Sequence, residues 1–96
     1  MSNLKFEWDS LKNKANFSKH NITFEEAKTV FDDEYAALLE DEEHSEDEER
    51  FILIGIDLHF RELYVCHCYR GKNDEIVRII SARKATKAEQ KLYRRK

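Results

Sequence analysis

Arg50, Arg78, Arg83 and His20 are the side chains of this 96-residue sequence best suited to chemistry at a phosphodiester. A guanidinium stays charged at every accessible pH, and its planar fork can hold two phosphate oxygens at once. An imidazole changes charge near neutral pH, so it can take a proton from a nucleophile or give one to a leaving group. Each residue also has an ordinary explanation. The arginines can form surface ion pairs with the acids of residues 46–49, and such pairs are common and contribute little. His20 falls where a helix should end, and a histidine there can interact with the terminal carbonyls. From the residues alone the ion-pair reading of the arginines leads, and the two readings of His20 stand level.

Position separates the candidates further. Arg83 ends an otherwise apolar strand, whereas strict alternation turns Arg78 to the opposite face unless a bulge re-aims it. Lys12, Lys19 and Lys84 could touch a nucleic-acid backbone or simply be solvated. Trp8 could stack on a base and Tyr93 could orient a phosphate, although aromatic side chains more often fill a core. His44 lies in an acidic run and reads as support for Arg50 or for the loop itself. Glu89 already has a capping role. Cys66-His67-Cys68 has the composition of a zinc site, but strand spacing turns His67 away from both thiols and no second ligand pair accompanies it. The cysteines read as buried thiols, and no metal or other cofactor is expected.

These side chains need a scaffold, and the hydrophobic pattern outlines one. Lys5-Phe6-Glu7-Trp8 reads as a short strand. Asp9 can cap a helix anchored by Leu11, Ala15 and Phe17, which stops near His20-Asn21 because Asn tolerates the left-handed backbone that ends helices. Thr23-Phe24-Glu25-Glu26 is a capping box for a second helix, with Phe24, Ala27, Val30 and Phe31 as its apolar stripe and an end at Asp32-Asp33. Residues 36–39 form a weak strand. Residues 51–57, 62–69 and 76–83 form three strong ones, joined by polar turns. Thr86-Lys87-Ala88-Glu89 opens a terminal helix through Tyr93 to Arg94-Arg95-Lys96. Two N-terminal helices, an antiparallel sheet and a C-terminal helix predict an α+β domain spanning residues 1–96 as one unit. The central strands are apolar on both faces. One face must pack the helices, and the other must be covered or serve as a binding floor.

Composition agrees with a small folded domain, at 41% hydrophobic and 39% charged residues with two Gly and no Pro. No apolar run is long enough to span a bilayer, and residues 1–8 lack the layout of a signal peptide, so the cytoplasm is the expected location. The net charge of −3 conceals a strong division: residues 31–49 carry eleven acids and no Lys or Arg, while residues 70–96 carry ten Lys or Arg against three acids. A polyanionic partner is therefore compatible with the chain despite its overall sign.

Several stretches together resemble one family over nearly the whole chain. They are Phe6-Glu7-Trp8-Asp9 followed by Lys12, Asn16 and Lys19-His20; Phe24-Glu25-Glu26-Ala27 and Val30-Phe31-Asp32-Asp33; His44-Ser45-Glu46 and Glu48-Glu49-Arg50-Phe51 before Ile54-Gly55; and Ile79-Ile80-Ser81-Ala82-Arg83-Lys84-Ala85-Thr86 with Glu89 and Tyr93. The family is the BrnT toxins, from which this sequence departs at Asn21, where the family usually has Gly. The resemblance implies a RelE-like fold and a ribonuclease that arrests translation and growth. It also implies a BrnA-like ribbon-helix-helix antitoxin as partner, with operator DNA bound only through the toxin–antitoxin complex and no membrane. It reverses the odds for Arg83 and Arg50, which become the groups that hold phosphate charge in a metal-independent cleavage, with His20 as the leading acid or base. Arg78, Lys12, Lys19, Lys84, Trp8 and Tyr93 would contact RNA. The competing expectation is a non-catalytic module that binds a protein partner through its exposed sheet face.

Overall fold

The computed structural model describes residues 4–94; Arg95 and Lys96, at the basic end predicted for the last helix, lie outside the described residues. β1 (Lys5–Glu7) leads into α1 (Ser10–His20), capped by the Asp9 carboxylate, which accepts from the Leu11 N–H at 2.8 Å and the Lys12 N–H at 3.1 Å. Asn21 closes the helix in the left-handed conformation at φ 59°. The Thr23–Glu26 capping box starts α2 (Phe24–Lys28), which tightens into a 3-10 turn over Thr29–Asp32. β2 (Ala37–Glu40), a short 3-10 turn at Glu42–His44, β3 (Phe51–Ile56), β4 (Glu62–Arg70) and β5 (Ile76–Lys84) follow. The chain ends in α3 (Lys87–Arg94), whose Thr86–Glu89 capping box is formed, with the Glu89 N–H donating to Thr86 Oγ at 3.2 Å and the Thr86 N–H to Glu89 Oε1 at 2.8 Å.

The sheet order is β1-β5-β4-β3-β2. The expected antiparallel meander is present from β2 through β5, but β1 runs parallel to β5 at the edge, so the sheet is mixed. A parallel pair needs a long connection between its strands, and α1 with the rest of the sheet supplies it.

One face of the sheet carries Leu53, Leu63, Val65, Val77, Ile79 and Ala82, packed against Ile22, Phe24, Ala27 and Val30. Trp8 joins this core, its ring edge-on to Phe24 with centroids 6.1 Å apart. On the second face a smaller cluster of Ile52, Ile54 and Ala85 receives Leu39, Tyr64 and Tyr93, so α3 covers only part of that face.

The predicted anchoring of α1 is corrected. Leu11 is 74% exposed, and Ala15 and Phe17 are exposed as well. The buried residue is polar: Asn16 donates from Nδ2 to the carbonyls of Ile22 and Ala82, both at 2.9 Å, and accepts the Ala82 N–H at 3.0 Å. β1 pairs with β5 only as far as Arg78, and beyond that point the Asn16 amide pairs with the strand backbone as another strand would. Unpaired buried amides would be costly, which is why a polar residue outranks apolar neighbours here.

A bulge in β5 sets the direction of its side chains. Cys66 faces Ser81 while His67 faces Ile79, leaving Ile80 without a partner across the ladder. Consequently Arg78, opposite Cys68, and Arg83, opposite Tyr64, emerge on the same face. His67 points the other way, fully buried among Phe31, Phe51 and Tyr69, and burial pushes its pKa down to about 4.

Candidate functional site

The part of the second sheet face that α3 leaves open carries Arg50, Arg70, Arg78 and Arg83. Arg50 enters it because the acidic run is tied closed beneath. The Asp41 N–H donates to the Arg50 carbonyl at 2.9 Å, the Arg50 N–H donates to Ser45 Oγ at 2.9 Å, and that hydroxyl donates to the Asp41 carbonyl at 2.6 Å. The run is thus an ordered loop with a buried acid, Asp41, and not merely a solvated connection. His44 Nδ1 lies 2.9 Å from Asp41 Oδ2. A pocket of about 250 Å³ lies between this loop and the sheet, lined by Asp41, His44, Arg50, Tyr64, Cys66, Ile80, Ser81 and Arg83. Arg50 and Arg83 are therefore brought together, from strand ends that are distant in sequence.

The two guanidiniums differ in what they already hold. Arg83 donates from both terminal nitrogens to Glu89, at 2.8 and 2.9 Å, and lies 3.8 Å from the centroid of the Tyr64 ring. The Glu89 carboxylate raises the arginine's pKa, and the guanidinium in turn holds Glu89 below the usual carboxylate range. Arg78 pairs with Glu7 at 2.9 Å, and Arg70 pairs with Glu48 of the acidic run at 3.2 Å. Among the described residues Arg50 makes no ion pair, and its Nε is buried without a hydrogen-bond partner. A guanidinium half-withdrawn from water with donors unused is the strongest demand for an anion on this surface.

The remaining predicted residues are placed as follows. His20 ends α1 and lines no part of the pocket. Lys12 and Lys19 are exposed on α1. Lys84 lies opposite Leu63, on the other face of β5 from Arg83. Trp8 and Tyr93 pack against the two cores, and burial raises the Tyr93 pKa, with Asp33 as its hydrogen-bond partner. Arg70 was missed by sequence reasoning; its signal was the even-numbered spacing from Tyr64, Cys66 and Cys68 along β4. Both cysteines are free and buried, and burial pushes the Cys66 thiol up to about 11, which makes it a poor nucleophile. Among the described residues no cluster of three or more His, Cys, Asp or Glu could hold a metal ion, and no helix is long and apolar enough to cross a membrane.

Fold and site together define a small α+β protein with four arginines gathered on one open sheet face, three of them paired with carboxylates. Over residues 8–89 the chain matches the model of a family described as the ribonuclease toxin BrnT of type II toxin–antitoxin systems. The chain belongs to that family. A 1.1 Å crystal structure of the Brucella abortus ribonuclease toxin BrnT is similar in fold, with 22% sequence identity and a TM-score of 0.65 over 88% of this chain and 99% of that one. No curated protein matches the chain. As a member of this family the chain is a ribonuclease toxin whose partner is an antitoxin.

Proposed function

We propose that the Arg50–Arg83 pocket binds and cleaves an RNA phosphodiester without a metal ion. The observation that carries this reading is Arg50: a cation lining a pocket, with a buried donor and no ion pair, beside a second guanidinium held rigid by Glu89 and Tyr64. In RNA cleavage the 2′-hydroxyl gives up its proton as its oxygen attacks the adjacent phosphorus, negative charge accumulates on the phosphorane oxygens, and the P–O5′ bond breaks as the 5′-oxygen takes up a proton. Arg50 and Arg83 stabilise the phosphorane charge. His44 lines the same pocket, oriented by Asp41 through Nδ1, and Nε2 is then the atom that exchanges the proton. His20, which the sequence puts forward for that task, lies outside the lining, and the reading passes the task to His44. Arg70 and Arg78 contact flanking phosphates once Glu48 and Glu7 release them.

The wider reading follows the family. The domain, taken as residues 1–96, has the RelE-like fold, acts in the cytoplasm to arrest translation and growth, and is neutralised by a ribbon-helix-helix antitoxin through which operator DNA is reached. Purified protein, freed of partner, is expected to cleave RNA in excess EDTA. Arg50→Ala and His44→Gln should each abolish most of that cleavage while His20→Gln leaves it. Cleavage that requires added metal, or that survives Arg50→Ala, overturns the assignment.

A further inference from the structure

The turn between β3 and β4 lies outside the arginine face and is built to an unusual standard. The Asp57 side chain is fully buried and accepts from the N–H groups of His59 at 3.0 Å and Arg61 at 2.9 Å, and from Arg61 Nε at 3.0 Å and Nη2 at 2.6 Å. Arg61 also reaches Glu26 at 3.2 Å, His59 reaches the same carboxylate at 3.1 Å, and the Leu58 N–H donates to Thr29 Oγ at 2.9 Å. What this network holds in place is an apolar tip. Phe60 is 88% exposed at φ 62°, a left-handed backbone that a bulky side chain rarely adopts, and Leu58 is 54% exposed. Strain of this kind persists only where the surroundings over-determine it, and it tends to mark function.

Beside the tip runs a groove of about 410 Å³ lined by Thr29, Asp32, Asp33, Ile56, Asp57 and Leu58. Its charge decides what can occupy it. The carboxylates of Glu26, Asp32, Asp33 and Asp57 outnumber Arg61 and the ionisable His59 that pair with two of them. RNA would be repelled from such a surface, and a second copy of this chain would bring the same carboxylates together. The complementary occupant is a protein segment with apolar anchors and flanking Lys or Arg.

We propose that the Leu58–Phe60 tip and its acidic groove dock the antitoxin, with Phe60 as the pre-positioned anchor and Asp32 steering a basic segment of the partner. This rests on the family's toxin–antitoxin reading and adds to it the surface used. A rigid aromatic anchor loses little conformational freedom on binding, which suits it to the centre of an interface. The surface is also separate from the arginine pocket, so docking need not begin by competing with RNA.

The test measures binding of the purified cognate antitoxin to wild-type protein and to Phe60→Asn, Leu58→Ser and Asp32→Lys. Asn accepts the left-handed backbone, so Phe60→Asn should keep or raise the thermal midpoint and leave RNA cleavage by the free toxin unchanged. Its affinity for the antitoxin should fall at least tenfold. Asp32→Lys should weaken binding as well, and the wild-type affinity should decline with added salt. Wild-type affinity in all three variants overturns the docking site and leaves the toxin–antitoxin reading intact. Failure of the wild-type protein to bind the antitoxin overturns that reading, and the proposal with it. Loss of RNA cleavage in Phe60→Asn, or a wild-type dimer that Phe60→Asn dissolves, assigns the tip to RNA or to a second copy and overturns the proposal.

Discussion

Lowering the pH should destabilise this protein well before its carboxylates titrate, and His67 is the reason. The ring is fully buried, edge-on to Phe31 at 4.9 Å and to Tyr69 at 5.2 Å, and among the described residues its polar contacts are the Val65 carbonyl at 3.2 Å and the Tyr69 hydroxyl at 3.3 Å. Burial holds its pKa at about 4 in the folded chain against 6.5 ordinarily. The unfolded chain therefore binds a proton that the folded chain refuses anywhere between those values. The penalty from His67 fades away well above pH 6.5, and stability is lost as the pH falls through 6.5 towards 4. At about 1.4 kcal/mol per pKa unit, the full loss is about 3 kcal/mol, and about 2 kcal/mol of it falls between pH 7 and 5. Glu26, Asp57 and Glu89 are held below their ordinary values, so their contribution is lost only at lower pH, as each is protonated. Urea unfolding at pH 7, 6 and 5 isolates the histidine when wild type is compared with His67→Phe, whose ring suits the aromatic box. The variant's stability can be offset at every pH by repacking, but its slope between pH 7 and 5 should be shallower by about 2 kcal/mol. Parallel slopes would refute the argument, because they would mean that the buried imidazole accepts its proton without cost.

Three substitutions test the supports of the fold. Asn16→Ala should lower unfolding free energy by about 3 kcal/mol in urea titration, since it strands buried backbone groups of Ala82 and Ile22; a change below about 1 kcal/mol would mean that water replaces the amide. Gly55→Ala should cost about 1–3 kcal/mol, because an added Cβ would meet Ala36 Cβ at 2.9 Å and, in the 3-10 turn beside β3, Val30 Cγ1 at 3.0 Å. Thr86→Ala removes the cap of α3 and should cost about 1 kcal/mol by thermal unfolding, while RNA cleavage persists because Glu89 still pairs with Arg83.

What the sequence disclosed and what it withheld divide along the range of the interactions. Asp9, Thr23 with Glu26, and Thr86 with Glu89 each act within a few residues of their own helix, so their roles could be read from spacing. Asn21 and the strand runs were legible for the same reason. The side of the sheet on which Arg78 emerges depends on one extra residue, Ile80, opposite a strand ten or more positions away, and periodicity carries no record of it. Asn16 escaped because the pattern of apolar residues points to Leu11 and Phe17, whereas the need at that place was to pair a strand edge with no neighbour.

The same limit bears on how the arginines should be ranked. By sequence Arg83 leads, as the polar end of an apolar strand, and Glu89 is a helix cap. In the fold one carboxylate does both jobs: it caps α3 and neutralises Arg83. An incoming phosphate must therefore share or displace Glu89 at Arg83, whereas at Arg50 it meets a buried Nε donor that has no partner among the described residues. Anion capture should begin at Arg50, with Arg83 engaged as charge builds on the phosphorane. Glu89→Gln should then strengthen RNA binding while lowering turnover, because the phosphate gains a free guanidinium and loses a correctly aimed one. A variant that gains in both would make Glu89 a simple brake, and Arg83 the first contact after all.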